Sequence, residues 1–278
     1  MKRLVALYRN PTYSPLQHRT NDSAILEATT TELAAAGWQI SVTTEVDVAQ
    51  GRIPPADVYL NMCQGLEASE ELSTIDGVTG RVVNRPSSVL RCHRRRLVET
   101  LVDAKLPFPR TILARTTAEG IAKIPVDLLT TDHDPIWIKR GDVHAERPED
   151  VVVTDRDGLA EVLTAFARRD IKWAALQMHV PGPILKFYGV ADRRFFRWYP
   201  AEATPVDVDE ERLREVAFAA AAALGLEIFG GDVALPSPDQ PVIIDVNDWP
   251  SFARFRADAA RAIAGYINDS FHHNGGRA

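Results

Sequence analysis

The chain has 278 residues, 45% of them hydrophobic and 25% charged, which suits one large soluble domain or two to three lobes sharing a core. Its net charge of −6 argues against a protein that coats nucleic acid, and no apolar run is long enough for a membrane helix. Cys63 and Cys92 alone make no disulfide framework, and the apolar stretch after Lys2-Arg3 is too short for a signal peptide, so the cytoplasm is the expected compartment.

In chain order, residues 4–8 read as a buried strand, followed by a polar loop with His18, Arg19 and Asn21. Asn21 or Asp22 is the expected cap of a helix running to about Ala36 and closed by Gly37. Residues 39–43, 58–61 and 81–84 read as three more strands, so residues 1–85 form a small, mostly parallel α/β lobe. Pro86 and Ser87 open a helix expected to run about 18 residues to Ala104, before Leu106-Pro107-Phe108-Pro109 stops it. Residues 111–114, 135–139, 151–153 and 174–180 read as antiparallel strands, with a helix over 158–168. Strand pairs follow at 185–190 with 194–199 and at 229–235 with 242–246. An Ala-rich helix lies between them at 210–224, stopped by Gly225, and a last helix covers 251–267 before a frayed tail. The class is α/β (α+β): a parallel lobe over 1–85, a connecting helix and central lobe over 86–178, and a C-terminal lobe over 179–278. A cleft between the last two is the natural ligand site.

Three acidic or amide side chains stand out. Asp245 and Asn247 lie two apart at the end of a strand and so share a face, and a hairpin can bring Asp232 beside them. Three hard oxygen ligands of this kind suit Mg²⁺ (or Mn²⁺), which completes its shell with phosphate oxygens and water. Read alone, the segment from Asp245 to Pro250 also fits a plain turn. Lys139 ends an apolar strand, where an ammonium can reach phosphate oxygens, and Gly141 in the loop after it permits close approach. Gln177-Met178-His179-Val180, leading into Pro181-Gly182, reads as an inter-lobe hinge whose backbone can meet an adenine ring.

The order and spacing of these pieces resemble the ATP-grasp superfamily over residues 80–270. Asn84-Arg85-Pro86 and Leu106-Pro107-Phe108-Pro109-Arg110-Thr111 resemble the entry to its central lobe, and Ile136-Trp137-Ile138-Lys139 the strand whose lysine contacts ATP phosphates. Gln177 to Gly182 is similar to the adenine hinge, with His179 where most members have Glu. Leu185-Lys186-Phe187-Tyr188-Gly189-Val190 resembles the strand whose basic residue reaches the phosphates. Gly231-Asp232-Val233 and Ile244-Asp245-Val246-Asn247-Asp248-Trp249-Pro250 resemble the metal-binding end. The chain departs from the family at His93-Arg94-Arg95-Arg96, where many members carry Asp-Lys. Arg95 is the expected phosphate contact there, with the choice among the three arginines open.

The resemblance implies ATP and Mg²⁺ as cofactors and a small-molecule carboxylate or hydroxyl acceptor, with Lys139 and Lys186 as the expected catalytic cations; Arg194, on the strand after the Asp192 turn, is added as a catalytic candidate from its position alone. Arg197, Trp198, Ser251 and Arg254 are further cleft candidates, and His18, Arg19 and Asn21 are candidates for acceptor choice. The expected reaction is carboxylate–amine ligation through an acyl phosphate. The alternatives are an inositol-phosphate-like kinase, favoured by Asp rather than Glu at position 245, by Lys186, and by His144 as a contact for a phosphorylated substrate, and an ATP-binding protein without turnover. Dimers are common in the family, so a homodimer is one candidate assembly, and the sequence leaves the oligomeric state open. Asp245→Ala is expected to abolish turnover while sparing the fold, by relieving carboxylate repulsion.

Overall fold

The computed structural model describes residues 2–13, 19–125, 127, 134–143 and 147–274. Its three four-stranded sheets are one parallel and two antiparallel. In the parallel sheet, β1 (Arg3–Tyr8) lies between β2 (Gln39–Thr44) and β3 (Val58–Asn61), and β4 (Arg81–Val83) pairs with β3. Leu4 and Ala6 enter one core with α1 (Arg19–Ala35) and the last helix α9 (Arg256–Asn274). Val5 and Leu7 enter another with α2 (Glu45–Ala49) and α3 (Leu66–Ser73). Both faces are covered, which is why the β1 sequence is continuously apolar rather than alternating.

Several local expectations change. Helix α1 begins at Arg19, so Asn21 and Asp22 sit inside it rather than capping it. The last helix starts five residues later than expected and continues to Asn274. The connecting helix is two helices, α4 (Pro86–Arg91) and α5 (Arg94–Asp103), because His93 is extended (φ −60°, ψ 130°) and its Nε2 is 3.1 Å from the Gln64 carbonyl oxygen.

The central sheet has β8 (Trp173–Met178) between β5 (Thr111–Arg115) and β6 (Ile136–Arg140), with β7 (Val151–Thr154) outside β6. Helix α6 (Ala118–Ala122) follows β5, and α7 (Leu159–Arg168) fills a core of its own with this sheet through Leu159, Leu163 and Phe166. In the third sheet, β9 (Ile184–Val190) and β11 (Ile228–Ala234) are central, flanked by β10 (Phe195–Pro200) and β12 (Val242–Asp248). One face of it packs on α8 (Glu210–Leu224) and α5. Gly225 ends α8 in the left-handed conformation, φ 74°, as a helix-terminating glycine does.

The first and third sheets are joined by Asn84. Its Nδ2 donates to the Ile228 carbonyl (2.7 Å), and its Oδ1 accepts from the Glu227 and Ile228 amides (2.8 and 2.9 Å). Trp249, fully buried, donates Nε1–H to the Val83 carbonyl at 3.1 Å. Asn84→Ala should cost about 2–4 kcal/mol, since it strands buried donors and an acceptor together. A urea midpoint unchanged from wild type would contradict this.

Candidate active site

The register of the third sheet sets three charges in one row. Asp232 on β11 is directly opposite Lys186 on β9 and directly opposite Asp245 on β12. The Lys186 ammonium donates to Asp232 Oδ1 at 2.8 Å. Burial raises the Asp232 pKa above the ordinary carboxylate value, and Lys186 offsets part of this. Burial pulls the Lys186 pKa down, but Asp232 outweighs it and the net direction is up.

A β-bulge shapes β12. Asp232 pairs with Asp245 and Val233 with Ile243, so Ile244 has no opposite residue. The extra residue shifts the alternation: Ile243 and Val246 both enter the core under α8, while Asp245 and Asn247 share the other face. The Ile244 carbonyl accepts a hydrogen bond from Lys139 Nζ at 2.9 Å, reaching across from β6 of the central sheet. The Lys139 pKa is pushed down to about 8, chiefly by burial and then by Arg94, against the pull of Asp245 and Asp232. Gly231 is required beside this row, because a Cβ there would lie 2.3 Å from the Asp245 carbonyl oxygen.

Arg94 was one of three open choices in the sequence. It grips Asp245 with both terminal nitrogens, 2.6 Å to Oδ1 and 3.0 Å to Oδ2, with its side chain 5% exposed. The break between α4 and α5 is what turns Arg94 inward. Arg95 does not join it: its guanidinium lies 5.3 Å from the Trp173 ring centre and 3.9 Å from Glu99.

The structure thus brings together Lys139, Lys186, Asp232 and Asp245, with Asn247 on the same face. Arg194 is not among them. It sits on the turn before β10 and pairs with Asp269 of α9, because β10 starts at the end of the sheet away from Lys186. Trp198 packs on the opposite, α8-facing side. Arg197 lies over Phe195, and Arg254 stacks on Tyr199 with 3.9 Å to the ring centre. Gln177 is buried in β8 and Met178 ends the strand, while His179 and Val180 lie beyond it; His179 Nδ1 accepts from Trp137 Nε1 at 3.2 Å. His18, His144 and the side chain of Arg19 fall outside the described residues. Asn21 accepts from Arg256, at the start of α9.

Solved structures share this architecture at low identity. A RimK domain protein ATP-grasp from Sphaerobacter thermophilus DSM 20745 matches with a TM-score of 0.67 and 20% identity, over 95% of this chain and 99% of that one. D-alanine–D-alanine ligase from Bacillus anthracis, complexed with ATP, matches at TM-score 0.71 and 14% identity over 100% of both chains. D-cycloserine synthetase DcsG matches at 0.65 and 14%, over 95% of this chain and 99% of its own. The chain has the ATP-grasp fold. No protein-family model and no curated protein matches the sequence. The ATP-grasp resemblance read from motif order therefore holds at the level of fold, where sequence identity is too low to carry it.

Among the described residues no three His, Cys, Asp or Glu side chains gather. The oxygen set is two carboxylates and an amide, and the two carboxylates are opposed in one ladder pair. Hard oxygens in that number fit Mg²⁺ held jointly with nucleotide phosphates. Cys92 is not a rival nucleophile: it is buried, and burial raises its thiol pKa well above the usual value.

Proposed function

We propose that this protein is an ATP-dependent ligase that activates a small-molecule carboxylate as an acyl phosphate and passes the acyl group to an amine. The row Lys186–Asp232–Asp245, faced across the cleft by Lys139, is the observation that carries the reading. That two of the similar structures are a D-alanine–D-alanine ligase and a D-cycloserine synthetase favours it over a kinase.

Asp232, Asp245 and Asn247 would hold the magnesium ion, which when bound neutralises charge on the nucleotide phosphates. Lys139 and Lys186 flank the transferred phosphoryl group and donate to its oxygens, and Gln177 to Val180 meet the adenine. An acceptor carboxylate oxygen attacks the γ-phosphorus as the bond to the β-phosphate oxygen breaks and ADP leaves. The amine then attacks the acyl carbon, inorganic phosphate departs, and the nitrogen loses a proton to solvent. The chain needs no covalent nucleophile; it supplies position and charge.

Two measurements test this. Mg·ATP at a hundred times its Kd should stabilise the fold by about 2.7 kcal/mol, and no thermal shift would sink the nucleotide reading. With candidate acceptors and hydroxylamine, turnover should yield a hydroxamate. A stable phosphoester would replace the ligase with a hydroxyl kinase.

A further inference from the structure

A cavity of about 380 Å³ is lined by the sequence neighbours of two residues of the site, His93 and Arg95 on either side of Arg94 and Gly141 just after the Lys139 strand, and it has no part in the chemistry above. Three regions of the chain build it: Tyr13 and residues 64–67 from the parallel lobe, His93, Arg95 and Arg96 from the connecting helices, and residues 141–143 with Trp173 from the central sheet. Arg94 and Arg95 are neighbours in the first turn of α5. One side chain turns inward to Asp245, and the other turns out to the cavity wall.

The wall is cationic and already arranged. Arg95 lies over the Trp173 ring, 5.3 Å from its centre, with Arg115 also on that ring at 4.8 Å; it is loosely paired with Glu99, and its amide donates to the Gly141 carbonyl at 2.9 Å. Arg96 is exposed on the same rim, with no ion pair among the described residues. Burial lowers the His93 pKa by more than the Gln64 carbonyl raises it. Of the two acids on the wall, Asp142 is tied to Arg140 at 2.7 Å, and Glu67 stands exposed on the opposite side. Two guanidinium groups one residue apart, one stacked on an aromatic ring, present the planar forks that carboxylates and phosphates fit.

We propose that this cavity binds the anionic end of the acceptor, a carboxylate or a phosphate monoester remote from the reacting group. The acceptor is then a molecule with a reactive group at the Lys186–Asp232–Asp245 row and a negative handle on Arg95 and Arg96. The assignment of an acceptor rests on the ligase reading; the anion site itself does not.

Titration calorimetry on the full chain, with and without Mg·AMP-PNP, tests both using inorganic phosphate and succinate as probes. The expected result is binding of at least one probe, weakened at least tenfold in Arg95→Gln/Arg96→Gln while Mg·AMP-PNP affinity moves less than twofold. Preference for phosphate or succinate then says which anion the handle carries. Arg96→Gln alone, at an exposed position, should fold normally and weaken the same probe. Failure of both probes to bind, or equal binding by the double variant, overturns the site. Parallel loss of Mg·AMP-PNP affinity would return the arginines to the nucleotide and overturn it too. Arginine-dependent anion binding with no nucleotide binding would keep the anion site and overturn the ligase reading.

Discussion

Asp245→Ala should unfold more readily than wild type by about 3–5 kcal/mol, besides losing turnover. The sequence suggests the opposite for the fold, since removing one of two close carboxylates relieves repulsion. The structure reverses that expectation through Arg94. This guanidinium is buried, its Nε has no hydrogen-bond partner among the described residues, and both its terminal nitrogens rest on Asp245. Deleting the carboxylate leaves a buried cation with no direct ion-pair partner and only the more distant charge of Asp232, on a fold whose whole stability is about 5–15 kcal/mol. Arg94→Met in the same chain should recover most of the loss, because an apolar side chain of similar length replaces the stranded charge. Urea denaturation of the two single variants and the double variant reads the coupling directly. A single Asp245→Ala variant within about 1 kcal/mol of wild type would show that Arg94 finds water instead.

Lys139→Met should do the reverse: a more stable protein that, on the proposed function, binds nucleotide more weakly. The Lys139 pKa is about 8 in the folded chain against 10.5 for the ordinary group. Below pH 8 folding buries a charged ammonium, a disadvantage of about 3 kcal/mol by the pKa difference. Losing the hydrogen bond to the Ile244 carbonyl returns about 1 kcal/mol of that, so the variant should gain about 2 kcal/mol at pH 7. The sign of the pH dependence follows. The folded pKa lies below the unfolded one, so from pH 8 to 10.5 the unfolded chain holds the extra proton and wild-type stability rises. The advantage of the Met variant therefore shrinks across that window. Nucleotide affinity should fall about tenfold to a hundredfold, the worth of a charged hydrogen bond to phosphate. Chemical denaturation at pH 7 and pH 9.5, with nucleotide calorimetry, checks both halves. A destabilised variant would mean that the buried ammonium is more strongly compensated by Asp232 and Asp245 than its pKa implies.

Much of this arrangement could be read from the chain alone, and the reasons differ by residue. Asp245 and Asn247 declare a shared face because strand periodicity is two, and the residues at positions 231–233 and 244–247 form a hairpin by proximity. Gly225 and the alanines before it mark α8 to the residue, since helix period and terminator agree there. Other features are invisible in one dimension. The run Val242-Ile243-Ile244 looks uniformly apolar, so nothing in it announces the bulge that frees the Ile244 carbonyl for Lys139. Arg94 sits in a string of basic residues indistinguishable from a solvated helix face; only the break at His93, set by a carbonyl 29 residues earlier in the chain, turns it inward. Arg194 misled because a strand-end arginine can serve either end of a sheet, and Asp269 on α9 claims it.

Helix α9 belongs by sequence to the last lobe but packs on β1 and α1 of the first. Trp249 and Phe252, just past the metal-ligand candidates, are buried in that same packing. The opening and closing thirds of the polypeptide are therefore welded through hydrocarbon. The central sheet and α7 keep their own apolar interior, and that sheet meets the rest of the chain through polar links such as Lys139 to Ile244 and Gly141 to the Arg95 amide. Water can replace such links at small cost. On the proposed function, a nucleotide would be admitted by rocking the central sheet against the other two, without either apolar interior coming apart.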